Sequence, residues 1–284
     1  MSKLSTQDID PADIILIKKS QKDLDEISFL MRALNTIGTP IDQGMELLPQ
    51  KYQSKISITI QKALQLAVKA NLKTLKTDKQ RSPSSNLTYQ LVTGFSGATG
   101  GFFGVAGFTT DLLISTKFMM RSIMDIARSQ GEDIHDVETQ LACLQVFALG
   151  GTSKDDDALD TSYYATRAAL HTSMNQASAY VAENGTKKII ETLATQTTGP
   201  ISKLISQVAA RFSVQVSEKF AAQAIPVIGA AAGASINVLF IKHFQKMATA
   251  HFTLRRLERK YSRALIQNTY NEIEVEATTV SGKE

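Results

Sequence analysis

Asp111, Lys117 and Arg121 are the only charged residues between Arg81 and Asp125, set in a stretch of otherwise neutral side chains. A carboxylate and two cations on apolar surface can do one of two things. They can neutralise each other as a buried pair that fixes helix register, because an unpaired interior charge is costly. Alternatively, they can hold the polar group of a lipid or small ligand. Lys117 and Arg121 cannot satisfy each other, so Asp111 is the expected partner, directly or across helices. Arg167, four residues after Tyr163, can join either arrangement, and the same spacing allows a simple exposed stack of arginine on the ring. Asp111, Lys117, Arg121 and Arg167 form the candidate lipid- or ligand-contacting set.

The other reactive types make weaker constellations. His135, His171, His243 and His251 show no HExxH or comparable ligand spacing. His243 and His251, eight residues apart, fall about 80° apart around a helix, so neither a metal nor a cofactor is expected. Cys143 is the single cysteine, which excludes an intrachain disulfide and points to a reducing compartment. It lies within LACLQVFAL and reads as a buried structural thiol, because a nucleophile needs a neighbouring base and an exposed, electropositive setting. No GxSxG elbow is present, and the glycine run lacks the Gly-Lys-Ser/Thr of a phosphate loop. A hydrolase would have to combine Asp111, His171 and His251.

The elements that must position these residues read as helices. The chain has 284 residues, 43% of them apolar, with 6 prolines and a formal charge of +4. Ala, Leu, Gln, Lys and Glu are abundant, and alternating β-branched runs are few. The expected fold class is all-α, a multi-helix bundle with two central glycine-rich apolar helices. The first is GFSGATGGFFGVAG, residues 94–107, where Gly97, Gly100, Gly101, Gly104 and Gly107 recur every three or four residues. Glycine in a helix interior costs about 1 kcal/mol relative to alanine, so close helix packing must offset it. The second lies in residues 224–241, with Gly229 and Gly233 in the same role. Residues 220–241 carry no charge over 22 positions, long enough to cross a bilayer, although Pro226 and Asn237 suit a buried bundle helix equally well.

Around these two segments the pattern predicts further helices. Asp10-Pro11 is a helix start, followed by an amphipathic helix ending near Gly38. A second runs from about Lys51 to Lys76 with Ile56, Ile60, Leu64, Ala67 and Leu75 inward, after which RSPSSN at 81–86 is a loop. A break before Asp111 separates the glycine helix from an apolar helix over 111–129, as in a hairpin. Asp133 and Asp136 open a helix through Leu149, closed by Gly150 and Gly151, and another spans about 158–183. Ile201 to Ala222 is amphipathic, with Arg211, Glu218 and Lys219 on its outer face. A closing basic helix presents Lys246, Arg255, Arg256, Arg259, Lys260 and Arg263, a candidate face for an anionic membrane surface. Stacking aromatics are not interleaved with this cluster, so nucleic acid is not an expected partner. The domain reading is 1–86 as amino-terminal helices packed on the core, 87–268 as a helical core, and 269–284 as a flexible tail.

Several strings are similar to the EcsC protein family of bacteria: Gly97 through Gly107 with the following DLLIST, MMRSIMDIARSQGED at 119–133, CLQVFALGG at 143–151 and SYYATRAAL at 162–170. The block from Arg211 to Ser262 resembles the family most closely. The family commonly shows Glu-Leu-Pro where this chain has Asp111-Leu112-Leu113, so the carboxylate is kept in type. The family takes its name from a hydrophobic protein encoded beside an ABC transporter, and it offers no catalytic residues to carry over. The resemblance itself implies little about function; the first reading, taken from the two glycine-rich apolar helices, is a protein peripherally associated with or partly inserted into the membrane, lipid-binding or an accessory to transport or secretion. The alternative is a soluble helical interaction protein with a protein partner and no membrane contact, and the third reading is an unrecognised hydrolase. The charged amino terminus, MSKLSTQDIDPADI, leads to an expected cytoplasmic location, at the inner face of the cytoplasmic membrane if lipid is bound.

Overall fold

Asp10 and Pro11 start the first helix as their chemistry dictates. In the computed structural model α1 spans Pro11–Asp25, and the Asp10 carboxylate accepts from the Ala12 N–H at 2.8 Å. The structure describes residues 9–25, 50–74, 104–150, 163–195, 199–224 and 226–281, with side chains over 9–25, 55–69, 107–150, 163–185, 199–220 and 235–273. All regular structure among the described residues is helical. α2, Gln50–Thr74, buries Ile56, Ile60, Leu64 and Ala67, the face its apolar spacing selects.

α3, Gly104–Ser129, runs through Gly107 and Asp111 without interruption. The expected break before Asp111 is therefore absent. Asp111 lies inside the helix, where its carboxylate is buried and bonded across helices. Of the glycine run, Gly104 and Gly107 fall in the first turn of α3, while Gly97, Gly100 and Gly101 lie outside the described residues, as does the 81–86 loop. α4, Val137–Gln145, is capped by Asp136, whose carboxylate accepts from the Thr139 N–H at 3.1 Å. A 3₁₀ turn, Val146–Ala148, continues it into Gly150 at φ +71°. That glycine is required. A Cβ there would meet Met247 Sδ at 2.6 Å and His243 Cε1 at 2.9 Å.

α5, Tyr163–Thr195, breaks at Gly185, where φ is 72° and ψ 154°. α6 spans Pro200–Ala224, and α7 is one 35-residue helix, Pro226–Lys260. The sequence reading of an apolar helix followed by a separate basic one is corrected: nothing between Ile241 and Lys242 breaks the helix. The charge-free window 220–241 is instead divided between α6 and α7, because Pro226 takes the first position of a new helix, where its missing N–H costs nothing. No helix among the described residues is long and apolar enough to cross a membrane. α8, Arg263–Ser281, replaces the tail expected after Asn268. Thr269 and Tyr270 are buried, and the Tyr270 carbonyl accepts from Gln21 Nε2 at 3.1 Å.

α2 lies against α3 and α6; α7 lies against α1, α3, α6 and α8; α5 covers α4 and α6. A single cluster of buried apolar side chains draws on every one of these helices. Its centre is aromatic. Phe147 sits 5.0 Å from Phe212 and 5.3 Å from Phe244, and Phe240 lies 5.2 Å from Phe244, joining the 3₁₀ turn to α6 and α7 at separations where ring pairs attract.

Candidate functional site

Asp111 is 2% exposed and its partner is Lys219 on α6. Lys219 Nζ lies 2.7 Å from Asp111 Oδ2 and 3.4 Å from Ser115 Oγ, while Asn237 Nδ2 donates to Asp111 Oδ1 at 2.7 Å. Lys219 is fully buried, with its ammonium 4.8 Å from the Phe240 ring centroid. Burial pushes its pKa down, and the pull of Asp111 only partly opposes this. Two sequence expectations are corrected here. Lys117 and Arg121 are exposed while Asp111 is buried, turned about 120° and 80° away from it around α3 at 100° per residue, and its ion-pair partner is Lys219 instead. Lys219, assigned to an outer face, is interior: its four-carbon stem and one charge look like surface until the carboxylate across the core is known. The geometry is that of a pinned helix junction, joining α3, α6 and α7.

Arg167 belongs to a different cluster. It pairs with Glu258 of α7 through Nη1–Oε1 at 2.5 Å and Nη2–Oε2 at 2.9 Å, and Nη1 also donates to Tyr163 Oη at 3.1 Å. Tyr164 Oη donates to Glu258 at 3.1 Å, and Tyr163 Oη lies 3.0 Å from His251 Nδ1. Burial opposes the charge of Arg167, but Tyr163 and Glu258 outweigh it and raise its pKa. Burial pushes the Tyr163 hydroxyl up to about 12, so it keeps its proton. Burial, and then the charges of Arg167 and Arg255, hold His251 well below its ordinary value, so the ring is neutral. We assign Tyr163 as the donor to Nδ1, which puts the ring proton on Nε2. The exposed stack of Tyr163 on Arg167 is thus a buried one, 5.2 Å from guanidinium carbon to centroid.

This cluster floors a charged cleft between α4, α5 and the junction of α7 with α8. One part is a cavity of about 260 Å³ walled by Arg167, Arg255, Arg263, His171 and Asn175. A wider opening of about 580 Å³ shares Glu138 and the three arginines and adds Glu132, Glu258 and Arg259. Asp111, His171 and His251 do not converge. Asp111 binds Lys219, His171 Nε2 meets Asn175 Nδ2 at 3.1 Å on an exposed turn, and His251 binds Tyr163. The named hydrolase set therefore has no shared reaction centre. Cys143 is buried, and burial raises its thiol pKa, which makes it a poor nucleophile.

The six cations of the basic face are now placed. Arg255 Nε lies 3.0 Å from Glu132 and its Nη2 3.2 Å from Glu138. Arg259 pairs with the same Glu132, Lys260 with Asp13 at 2.7 Å and Lys246 with Asp23 at 3.0 Å. These pairs tie α7 to α1 and to the turn before α4. Arg256 and Arg263 are exposed. The more telling surface lies on α1 to α3, which hold every large apolar side chain found exposed among the described residues: Ile15 (66%), Ile58 (66%), Leu66 (45%) and Ile114 (40%). On α2, Lys55, Ile58, Lys62 and Leu66 fall within one 80° stripe by the 100° step. On α3, Ile114, Lys117 and Arg121 do the same, directly opposite the buried face. α2 contains no Asp or Glu at all.

The sequence model described as the EcsC protein family matches residues 15–257. The chain belongs to the EcsC family. No curated protein and no solved structure matches it. Within this EcsC chain, sequence reasoning missed Lys219 and Asn237 at the buried junction, Glu258 and Tyr164 at the cleft, and the outward stripe of α2. The last was legible in principle, since a 25-residue helix with lysines and no acid cannot be balancing its charge internally. The two buried partners carried no such signal, because both depend on which helices become neighbours. What packs on Gly229 and Gly233, both on α7, lies outside the described side chains.

Proposed function

We propose that this EcsC-family protein works at an anionic membrane surface, resting on the outward face of α2 and α3 as a peripheral lipid-binding component of a transport or secretion system. One observation carries the reading: the exposed stripes Lys55-Ile58-Lys62-Leu66 and Ile114-Lys117-Arg121 mix isoleucine and leucine with cations, on two helices packed side by side. A helix face that only needed solvation would place glutamates among its lysines and keep isoleucine inside. A face meeting lipid headgroups needs cations for the phosphates and short apolar side chains to enter the interface. Each well-placed cation contributes about 1 kcal/mol of attraction to an anionic leaflet, and each isoleucine that leaves water adds about 1.5–3 kcal/mol at full burial. Binding without insertion follows, since no described helix is a spanning segment.

Flotation of the full chain with vesicles tests this. Vesicles with 30 mol% phosphatidylglycerol should carry it upward, and pure phosphatidylcholine vesicles should carry markedly less. Added salt should weaken the binding as screening shortens, and a residue of binding should persist from the apolar contacts. Protein that stays at the bottom of the gradient with both vesicle types would refute the membrane reading.

A further inference from the structure

The cavity beside α5 lies apart from the α2–α3 stripe and has its own chemistry. Its walls bring three guanidinium groups, Arg167, Arg255 and Arg263, around about 260 Å³, together with His171, Asn175 and Ser178, against a single carboxylate, Glu138. The acids nearest to it are already committed. Glu258 accepts both Nη groups of Arg167, and Glu132 accepts from Arg255 and Arg259. Asp133 and Asp136 line only the wider opening, where they accept from the His135 and Thr139 N–H groups and keep their charge. Glu138 itself sits at the rim with a side chain 66% exposed.

Those pairings leave donors. Among the described residues, Arg167 bonds only through Nη1 and Nη2, and Arg255 only through Nε and Nη2. A guanidinium presents five N–H donors in a rigid fork, so Arg167, held by Glu258 through its two Nη groups, keeps its Nε–H, and Arg255, held by Glu132 through Nε and Glu138 through Nη2, keeps its Nη1 group. That is the arrangement that fixes an anion-binding fork before its ligand arrives. Arg263 adds a third guanidinium, in no ion pair among the described residues. It is also the first residue of α8, where the helix dipole already places about half a positive charge and disfavours a cation. Ser262, just before it, holds φ at 145°, a strained value for a residue with a side chain, and caps α8 through the Leu265 N–H at 3.3 Å. The turn thus presents Arg263 at the cavity.

We infer that this cavity is a binding site for a phosphate-bearing ligand, held by the free edges of Arg167 and Arg255 and closed by Arg263. A tetrahedral phosphate oxygen set matches bidentate guanidinium donors from more than one direction, and the wider opening alongside leaves room for the rest of a phosphoester. The phosphate can belong to a free anion or to a lipid headgroup. The inference does not depend on the α2–α3 membrane reading.

Titration calorimetry of the full chain separates the sources, with inorganic phosphate in one arm and monomeric dihexanoyl phosphatidylglycerol in the other, each against sodium chloride of equal ionic strength. Saturable binding of inorganic phosphate assigns the site to a free phosphate, and saturable binding of the short-chain lipid alone assigns it to a headgroup. Either result should weaken at least fivefold in Arg263→Gln. Binding should disappear in Asn175→Trp, which fills the cavity without removing a cation, and should stay unchanged in Arg256→Gln, a neighbouring exposed arginine outside the walls. Both altered cavity residues are exposed, and an unchanged melting temperature of each variant confirms that the loss is one of binding. Absence of saturable binding in both arms, or equal affinity in Arg263→Gln and Arg256→Gln, overturns the inference.

Discussion

Replacing Lys219 by methionine should cost the protein heavily although methionine is the more apolar residue. The side chain is fully buried between the rings of Phe108 and Phe240, surroundings that would welcome a thioether. If Asp111 were neutralised by Lys117 or Arg121, the substitution would be neutral or stabilising. In the structure, Lys219→Met strips the carboxylate of its 2.7 Å counter-ion, and the neutral amide of Asn237, which donates to the other oxygen at 2.7 Å, supplies no compensating charge. Breaking one side of a buried pair typically costs about 3–5 kcal/mol. For a chain of this size that is a drop of roughly 6–20 °C in melting temperature, read by circular dichroism or calorimetry. The double variant Lys219→Met with Asp111→Leu removes the stranded charge and should recover much of the loss, giving a coupling of at least about 2 kcal/mol in the double-mutant cycle. Melting of Lys219→Met within about 2 °C of the parent would show that Asp111 does not rely on this lysine.

Gly150→Ala should destabilise by about 1–3 kcal/mol, seen in urea unfolding, because φ of +71° and the approach of Met247 and His243 both exclude a Cβ. Stability should fall on acidification in two stages. His251 is held well below its ordinary 6.5 by burial and by Arg167 and Arg255; the unfolded chain takes a proton there that the folded one refuses, so stability declines as pH falls below about 6.5. Asp13 is depressed below 3.8 chiefly by Lys260, and at Glu132 burial is outweighed by Arg255 and Arg259, which hold it below 4.5. Their contribution is complete above those values and is lost as pH falls through the folded ones, so the melting profile steepens there. His251→Leu should remove the first stage and leave the second. Neutralising Lys55, Lys62 and Lys117 to glutamine should weaken binding to anionic vesicles by about 3 kcal/mol, roughly 100-fold, at 1 kcal/mol per cation, with melting unchanged because all three are exposed.

Local signals in the sequence were good guides and long-range ones were not. Asp10-Pro11, Asp136 and Gly150 mark helix ends through chemistry confined to a few residues, and the structure uses each of them there. The inward face of α2 follows from the spacing of Ile56, Ile60, Leu64 and Ala67 alone. The all-α class and the EcsC family follow from such local patterns accumulated along the chain. Asp111 shows the other side: the need of an interior carboxylate for a partner is legible in its apolar surroundings, but the partner, Lys219, is known only once α6 lies across it. Arg255 and Arg259 look like a solvated basic face until Glu132, more than a hundred residues away, is brought beside them. Arg167 stands out in the sequence beside Tyr163, but Glu258, the group that orients it, comes from a helix that no local pattern pairs with α5.

The chain contains no tryptophan, so Ile114→Trp makes one fluorescent probe on the outward face of α3. With phosphatidylglycerol vesicles its emission should shift to the blue, and acyl-chain-brominated lipid should quench it. A matched probe at Lys203, exposed on α6, should do neither. Emission from Trp at 114 that stays water-like and unquenched under conditions where the vesicles are present in excess would contradict the proposal that α2 and α3 meet the membrane.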